Sequence, residues 1–170
     1  MKLEPIIKIA PAWTAVSGRF GVHVFEGHLS LADMDRMQTI GDDWYRQNPG
    51  RLVELAIVFP SNAMMTAEER RRMTHLIKRW ERHRDASATV ILAEGLLGSI
   101  QRSVLTGFTL VVPPPHPMKV FGKIPGAVVW LHPYVAALCP DASSPDVVLG
   151  AVQDLCREFR SAERQDARTT

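Results

Sequence analysis

With 170 residues the chain is long enough for one domain with its own hydrophobic core, and 46 % hydrophobic against 22 % charged residues places it in the ordinary globular range. A net charge of +2 is too mild for the clustered basic footprint of a nucleic-acid binder. No stretch approaches the roughly 18 apolar residues of a membrane span, and Met1-Lys2-Leu3-Glu4-Pro5 lacks the apolar region of a signal peptide. Cys139 and Cys156 make no CxxC and have no His at metal-ligand spacing, which points to a reducing compartment. The expectation is a cytoplasmic protein without a membrane span or a nucleic-acid partner.

In chain order, Ile6 to Val16 is apolar and broken by Pro11, and Phe20 to Glu26 alternates like a half-buried strand. The pattern predicts two antiparallel strands joined by a tight turn at Gly18-Arg19, with Pro11 splitting the first or placing it at an edge. Ser30 is the predicted N-cap of a first helix, with Asp33 three residues on and Leu29 and Met34 placed as a hydrophobic staple. Leu31, Met34, Met37, Ile40 and Trp44 make its apolar stripe, and Asn48-Pro49-Gly50 stops it.

Leu52-Val53-Glu54-Leu55-Ala56-Ile57-Val58-Phe59 reads as a strand buried on both faces. After Pro60-Ser61-Asn62 the chain re-enters a helix through Thr66-Ala67-Glu68-Glu69, a capping box. Met73, Leu76, Ile77 and Trp80 are its predicted buried stripe, and Asp85-Ala86-Ser87 its end. Ala88 to Ala93 is a further buried strand. Gly95-Leu96-Leu97-Gly98 then leads to a third helix carrying Ile100, Val104, Leu105 and Phe108. Pro113 to Pro117 is a stiff connector, Met118 to Phe121 a short last strand, and Pro125 suits the first turn of a fourth helix reaching Leu131.

Beyond His132-Pro133 the character changes. Ser144 caps a last helix with Pro145 at N1 and Val148, Ala151, Val152, Leu155 and Phe159 on one face, and the polar tail from Ser161 is expected to fray. Alternating strands and helices argue for an α/β fold with a mostly parallel central sheet. The division predicted is an α/β domain over residues 1–132 and a C-terminal helical extension over 133–170.

Three pieces carry a family resemblance: Glu26-Gly27-His28-Leu29-Ser30 at a strand-to-helix junction, the buried Leu55-Ala56-Ile57-Val58, and the closing Val120-Phe121…Ala127…Trp130-Leu131. Together they resemble the STAS superfamily, in particular its SpoIIAA-like, lipid-carrier-like branch, over about residues 5 to 132. The resemblance implies a STAS/SpoIIAA-like α/β sandwich, here with an extra C-terminal helix. It also implies a non-enzymatic regulatory or protein-interaction module. Anti-sigma-factor antagonists of this kind carry a phosphorylatable Ser just after the central strand. Ser61 is the nearest match, although Pro60 stands where the family has an acidic residue and its Gly-Leu pattern is missing.

Several residue sets are candidate sites. Ser61 and Thr66 are candidates for a phospho-site or switch loop, against which Ser61 reads as a loop residue making local turn bonds and Thr66 is better explained as the helix cap. Arg71, His75, Lys78 and Arg82 fall on one helical line and suit an acidic protein partner or anionic headgroups; the plain alternative is a solvated face opposite Trp80. Met34, Met37, Met64, Met65 and Met73 suit the lining of an apolar or lipid ligand site, or simply a core. Gly95 to Ser99 lacks the spacing of a phosphate loop, and the six histidines form no metal motif. No catalytic residue, cofactor or metal is expected. Two alternatives to the regulatory module stand: a carrier or sensor of an apolar molecule, and a small enzyme with an unrecognised site. The last helix's apolar face must be covered, either by the chain's own sheet or by a second copy; the expectation leans to a homodimer.

Overall fold

Three antiparallel strands begin the chain where two were expected. They are β1 (Glu4–Ile9), β2 (Ala12–Ser17) and β3 (Phe20–Glu26). Pro11, which has no N–H to give to a ladder, falls in the tight connection between β1 and β2, so the first apolar stretch becomes a hairpin. β4 (Leu52–Phe59), β5 (Arg84–Ile91) and β6 (Met118–Phe121) complete a six-stranded sheet in the order β1-β2-β3-β4-β5-β6. β4 is parallel to both neighbours, with Phe20 opposite Val53 on one side and Val53 opposite Ala86 on the other. The computed structural model describes residues 1–27, 29–61, 65–93 and 115–169, with side chains to residue 165. The expected third helix after Gly95 lies outside the described residues.

Among the described residues, two helices cover each face of the sheet. On one side lie α1 (Leu31–Gln47) and α2 (Ala67–Glu81). Ser30 caps α1 by accepting from the Asp33 amide, and Leu29 and Met34 are buried in one cluster, as a staple requires. Both halves of the capping box form on α2: Thr66 Oγ1 accepts from the Glu69 amide at 3.2 Å, and Glu69 accepts from the Thr66 amide at 2.7 Å. Its buried stripe is Leu76 and Trp80, with Met73 partly buried; Ile77 is instead 48 % exposed, because it stands on the flank away from α1. α2 also stops earlier than expected, so Arg84 to Ser87 open β5 rather than close a helix.

The other face carries α3 (Ile124–Leu138) and α4 (Pro145–Thr169). α3 runs past the expected end at Leu131 and through Pro133. The carbonyl that Pro133 cannot serve is that of Val129; both residues are exposed, so the missing hydrogen bond faces water. α4 continues through the polar tail that was expected to fray. Val148, Val152, Leu155 and Phe159 are buried beneath it, in the same core as Trp13, Phe20 and Leu55. The Phe159 ring meets Trp13 edge-on at 5.7 Å and stacks on Phe59 at 6.0 Å. This face is thus covered by the chain's own sheet, and the expected homodimer contact through it is not available.

Alternation along the strands gives the two sides different chemistry. Val53, Leu55, Ile57 and Phe59 of β4 face α3 and α4 in a wholly apolar layer with Phe20, Val22 and Val24. Facing α1 and α2 are Thr14, His23, Glu54 and Ser87. α1 and α2 close over part of this polar row, and at Gly41 an added Cβ would stand 2.5 Å from Trp80 Cζ2.

Two stability measurements follow. Gly41→Ala should lower the urea midpoint, because overpacking against Trp80 costs roughly 1–3 kcal/mol and outweighs the ~1 kcal/mol gain in helix propensity. Phe159→Ala should cost roughly 3–5 kcal/mol in the same assay, as for a large aromatic lost from a core; a loss below about 1 kcal/mol would mean α4 does not dock on the sheet.

Candidate functional site

Ser61 is exposed after β4, and Thr66 is exposed at the cap of α2. The Thr66 hydroxyl already serves the Glu69 amide, and Arg70 donates to the Met65 carbonyl at 2.5 Å. A phosphate on Thr66 would therefore remove a cap.

The arginines of α2 divide by direction. Arg72 and Arg79 lean towards α1: Arg72 binds Asp35 at 2.6 Å, and Arg79 grips both oxygens of Asp42. Trp80 Nε1 adds a further bond to Asp42 at 3.0 Å. The Arg79 hydrogen bond outweighs partial burial and holds the Asp42 carboxyl below its usual range. Arg71, His75, Lys78 and Arg82 are all exposed, directly opposite Leu76 and Trp80. None of Arg71, His75 and Lys78 makes an ion pair with a described residue. The predicted line is thus brought together on one surface.

The described methionines do not gather around a ligand-sized space. Met34 and Met37 are buried between α1 and the sheet, Met65 and Met73 pack at the margin of that cluster, and Met64 lies outside the described residues. A cavity beside Met37, Gly41, Trp44 and Leu52 has a volume of about 30 Å³, room for about one water.

That cavity reaches Glu54, which the sequence reading passed over. Glu54 is 4 % exposed in the middle of the sheet. Its carboxylate pairs with the Arg84 guanidinium and accepts from the Tyr45 hydroxyl at 3.0 Å. His23 Nε2 stands 3.6 Å away, and Thr14 Oγ1 meets His23 Nδ1 at 3.0 Å. A Thr14 hydroxyl donating to Nδ1 leaves the Nε2–H aimed at Glu54. Burial raises the Glu54 carboxyl, but Arg84 and His23 outweigh it and hold it down to about 2. Burial, reinforced by the Glu54 charge, pushes the Tyr45 phenol up. Tyr45 is therefore a neutral donor and Glu54 a fixed anion. A signal for this set was present: a Glu inside a strand that must be buried on both faces requires partners.

Ser87 Oγ lies 2.8 Å from His116 Nε2, a pair with the look of a nucleophile and its base. His116 is buried, and its Nδ1 has no partner among the described residues, so no described carboxylate orients the ring. Desolvation and then the Arg84 charge lower the His116 pKa. No group of three or more metal-ligating side chains is found among the described residues, and no described helix is long and apolar enough to cross a membrane.

No protein-family profile and no curated protein matches the chain. Among solved structures, it is similar to an uncharacterized protein of the DUF3478 family with a SpoIIAA-like fold from Shewanella loihica PV-4. The TM-score is 0.51 at 14 % identity, covering 76 % of this chain and 94 % of the other. At that identity the likeness is one of fold. The chain has a SpoIIAA-like α/β fold with an additional C-terminal helix.

The Glu54 set makes stability pH-dependent. In the unfolded chain the carboxyl titrates near 4.5 and in the fold near 2, so its contribution is complete above about pH 4.5 and is lost as pH falls towards 2. The difference amounts to roughly 3 kcal/mol at neutral pH. Glu54→Leu alone leaves Arg84 buried and unpaired and should cost roughly 3–5 kcal/mol, whereas Glu54→Leu with Arg84→Met should recover most of it. Urea titrations at pH 7 and pH 3 measure both: the wild type loses stability on acidification, and the double variant loses distinctly less.

Proposed function

We propose that this chain is a non-enzymatic regulatory module that docks an acidic protein partner on the outer face of α2. The observation that carries the reading is the division of charge on that helix. Arg72 and Arg79 are neutralised by α1, while Arg71, His75, Lys78 and Arg82 form an exposed line without carboxylates from the described residues of their own chain. Such a line steers and orients an acidic surface at little cost to the fold, because the capping box and the Leu76–Trp80 stripe secure the helix independently.

The resemblance to STAS modules supports a regulatory role. Regulation through Ser61 would be a property of the exposed loop, since the capping hydroxyl and carboxylate of Thr66 and Glu69 already serve each other's amides. A carrier of an acyl chain fits less well: the described methionines pack in or beside the core, and the cavity beside them, about 30 Å³, is far below the several hundred Å³ of a ligand pocket. An enzyme also fits less well. Glu54 is held ionised by partners on both oxygens, which suits a structural ion pair and not a proton donor near neutral pH.

The test is affinity capture from cell extract at low and high salt, with wild type and an Arg71→Glu, Lys78→Glu variant. One protein should be retained by the wild type, released by salt and not held by the variant; purified, it should bind the wild type directly. Retention of the same partners by both forms would remove the α2 face from the reading.

A further inference from the structure

At the far end of the α1–α2 pair lies an open groove of about 390 Å³. α1 contributes Asp42, Tyr45 and Arg46; Arg79, Trp80, Arg82 and His83 come from the end of α2 and the turn after it. Three aromatic side chains line it. The Tyr45 and His83 rings are stacked at 4.5 Å and 22°, and Trp80 stands 5.9 Å from Tyr45. The walls are fixed from behind. Tyr45 is tied to buried Glu54, and Trp80 is held by Asp42.

The charges in the groove do not cancel. Arg79 and Trp80 together occupy Asp42, and Arg46 is paired with Asp43. Arg82 remains. Its Nε donates to His83 Nε2 at 3.3 Å, which sets the guanidinium beside the ring stack, and its terminal nitrogens bond no other described group. A guanidinium held by Nε offers its remaining N–H groups as a fork that matches a carboxylate or a phosphate. An aromatic floor with one unsatisfied cation at its edge selects a particular ligand: a flat ring for the stack, carrying an anion for the fork. A volume of about 390 Å³ admits one or two rings but no extended chain.

We propose that this groove is a binding site for a small aromatic acid, its ring laid against Tyr45, Trp80 and His83 and its carboxylate or phosphate held by Arg82. The site is separate from partner docking on α2, which it meets only at Arg82.

Isothermal titration with indole-3-acetate, phenyl phosphate, acetate, inorganic phosphate and indole tests it. The two ring-bearing anions should saturate the protein, with whichever head group binds tighter identifying the preferred anion. Acetate, phosphate and indole should bind about tenfold more weakly or not at all. Arg82→Gln, on an exposed side chain, should weaken binding about tenfold with an unchanged urea midpoint. Arg71→Glu, about three helical turns from Arg82, should leave it unchanged, which separates this site from the docking face. The absence of binding by either ring-bearing anion at millimolar concentration, equal binding of acetate or phosphate, or indifference to Arg82→Gln would each overturn the proposal.

Discussion

A carboxylate in the interior of a sheet cannot stand alone, and much of the α1–α2 side of this protein is arranged around that constraint. Glu54 sits on a strand that is hydrogen-bonded on both edges and covered on both faces. Desolvating an ion without a partner costs several kcal/mol, so each neighbouring element supplies one group. β5 gives Arg84, α1 gives Tyr45, β3 gives His23, and β2 supports His23 through Thr14. The set fixes where α1 lies on the sheet and how the β4–β5 pair begins. The opposite face has no such directional demand. There Phe20, Leu55, Val148 and Phe159 pack by shape alone, and a long terminal helix can be laid across them.

The same arrangement explains how α2 can be both structural and available. A helix that packed through its charges would have none left over. α2 packs through Leu76 and Trp80, uses the arginines on the α1 side to grip Asp35 and Asp42, and leaves the far side to solvent. Gly41 lets Trp80 approach α1 closely, and that approach places Trp80 beside Tyr45 and His83 at the end of the pair. The groove is therefore a consequence of close helix packing above a buried ion pair, with Arg82 at the point where the packed end meets the outer face.

Local rules were readable to the extent that local forces decide. Ser30 and Thr66 cap their helices because a hydroxyl accepting an N3 amide requires only its own next three residues. The strand at Leu52–Phe59 forms because its apolar run has no other stable place. Where a second element decides, the pattern alone gave a different answer. Ile77 has the spacing of a core residue but nothing above it among the described elements. Pro133 has the chemistry of a helix breaker but falls on a face where the lost bond meets water.

By itself the sequence determined the helix caps, the buried central strand, the α/β alternation with its SpoIIAA-like character, and the basic line on α2. These depend on periodicities of 2 and 3.6 residues and on bonds closed within one turn of chain. Only the tertiary structure decided which groups answer Glu54, which arginines α1 neutralises, and that the terminal helix covers its own sheet. Those outcomes join residues as far apart as 14, 54 and 84, or 13, 59 and 159. Their energies exist only when the sheet has brought the partners within contact distance, and no local pattern records a contact that the chain has not yet made.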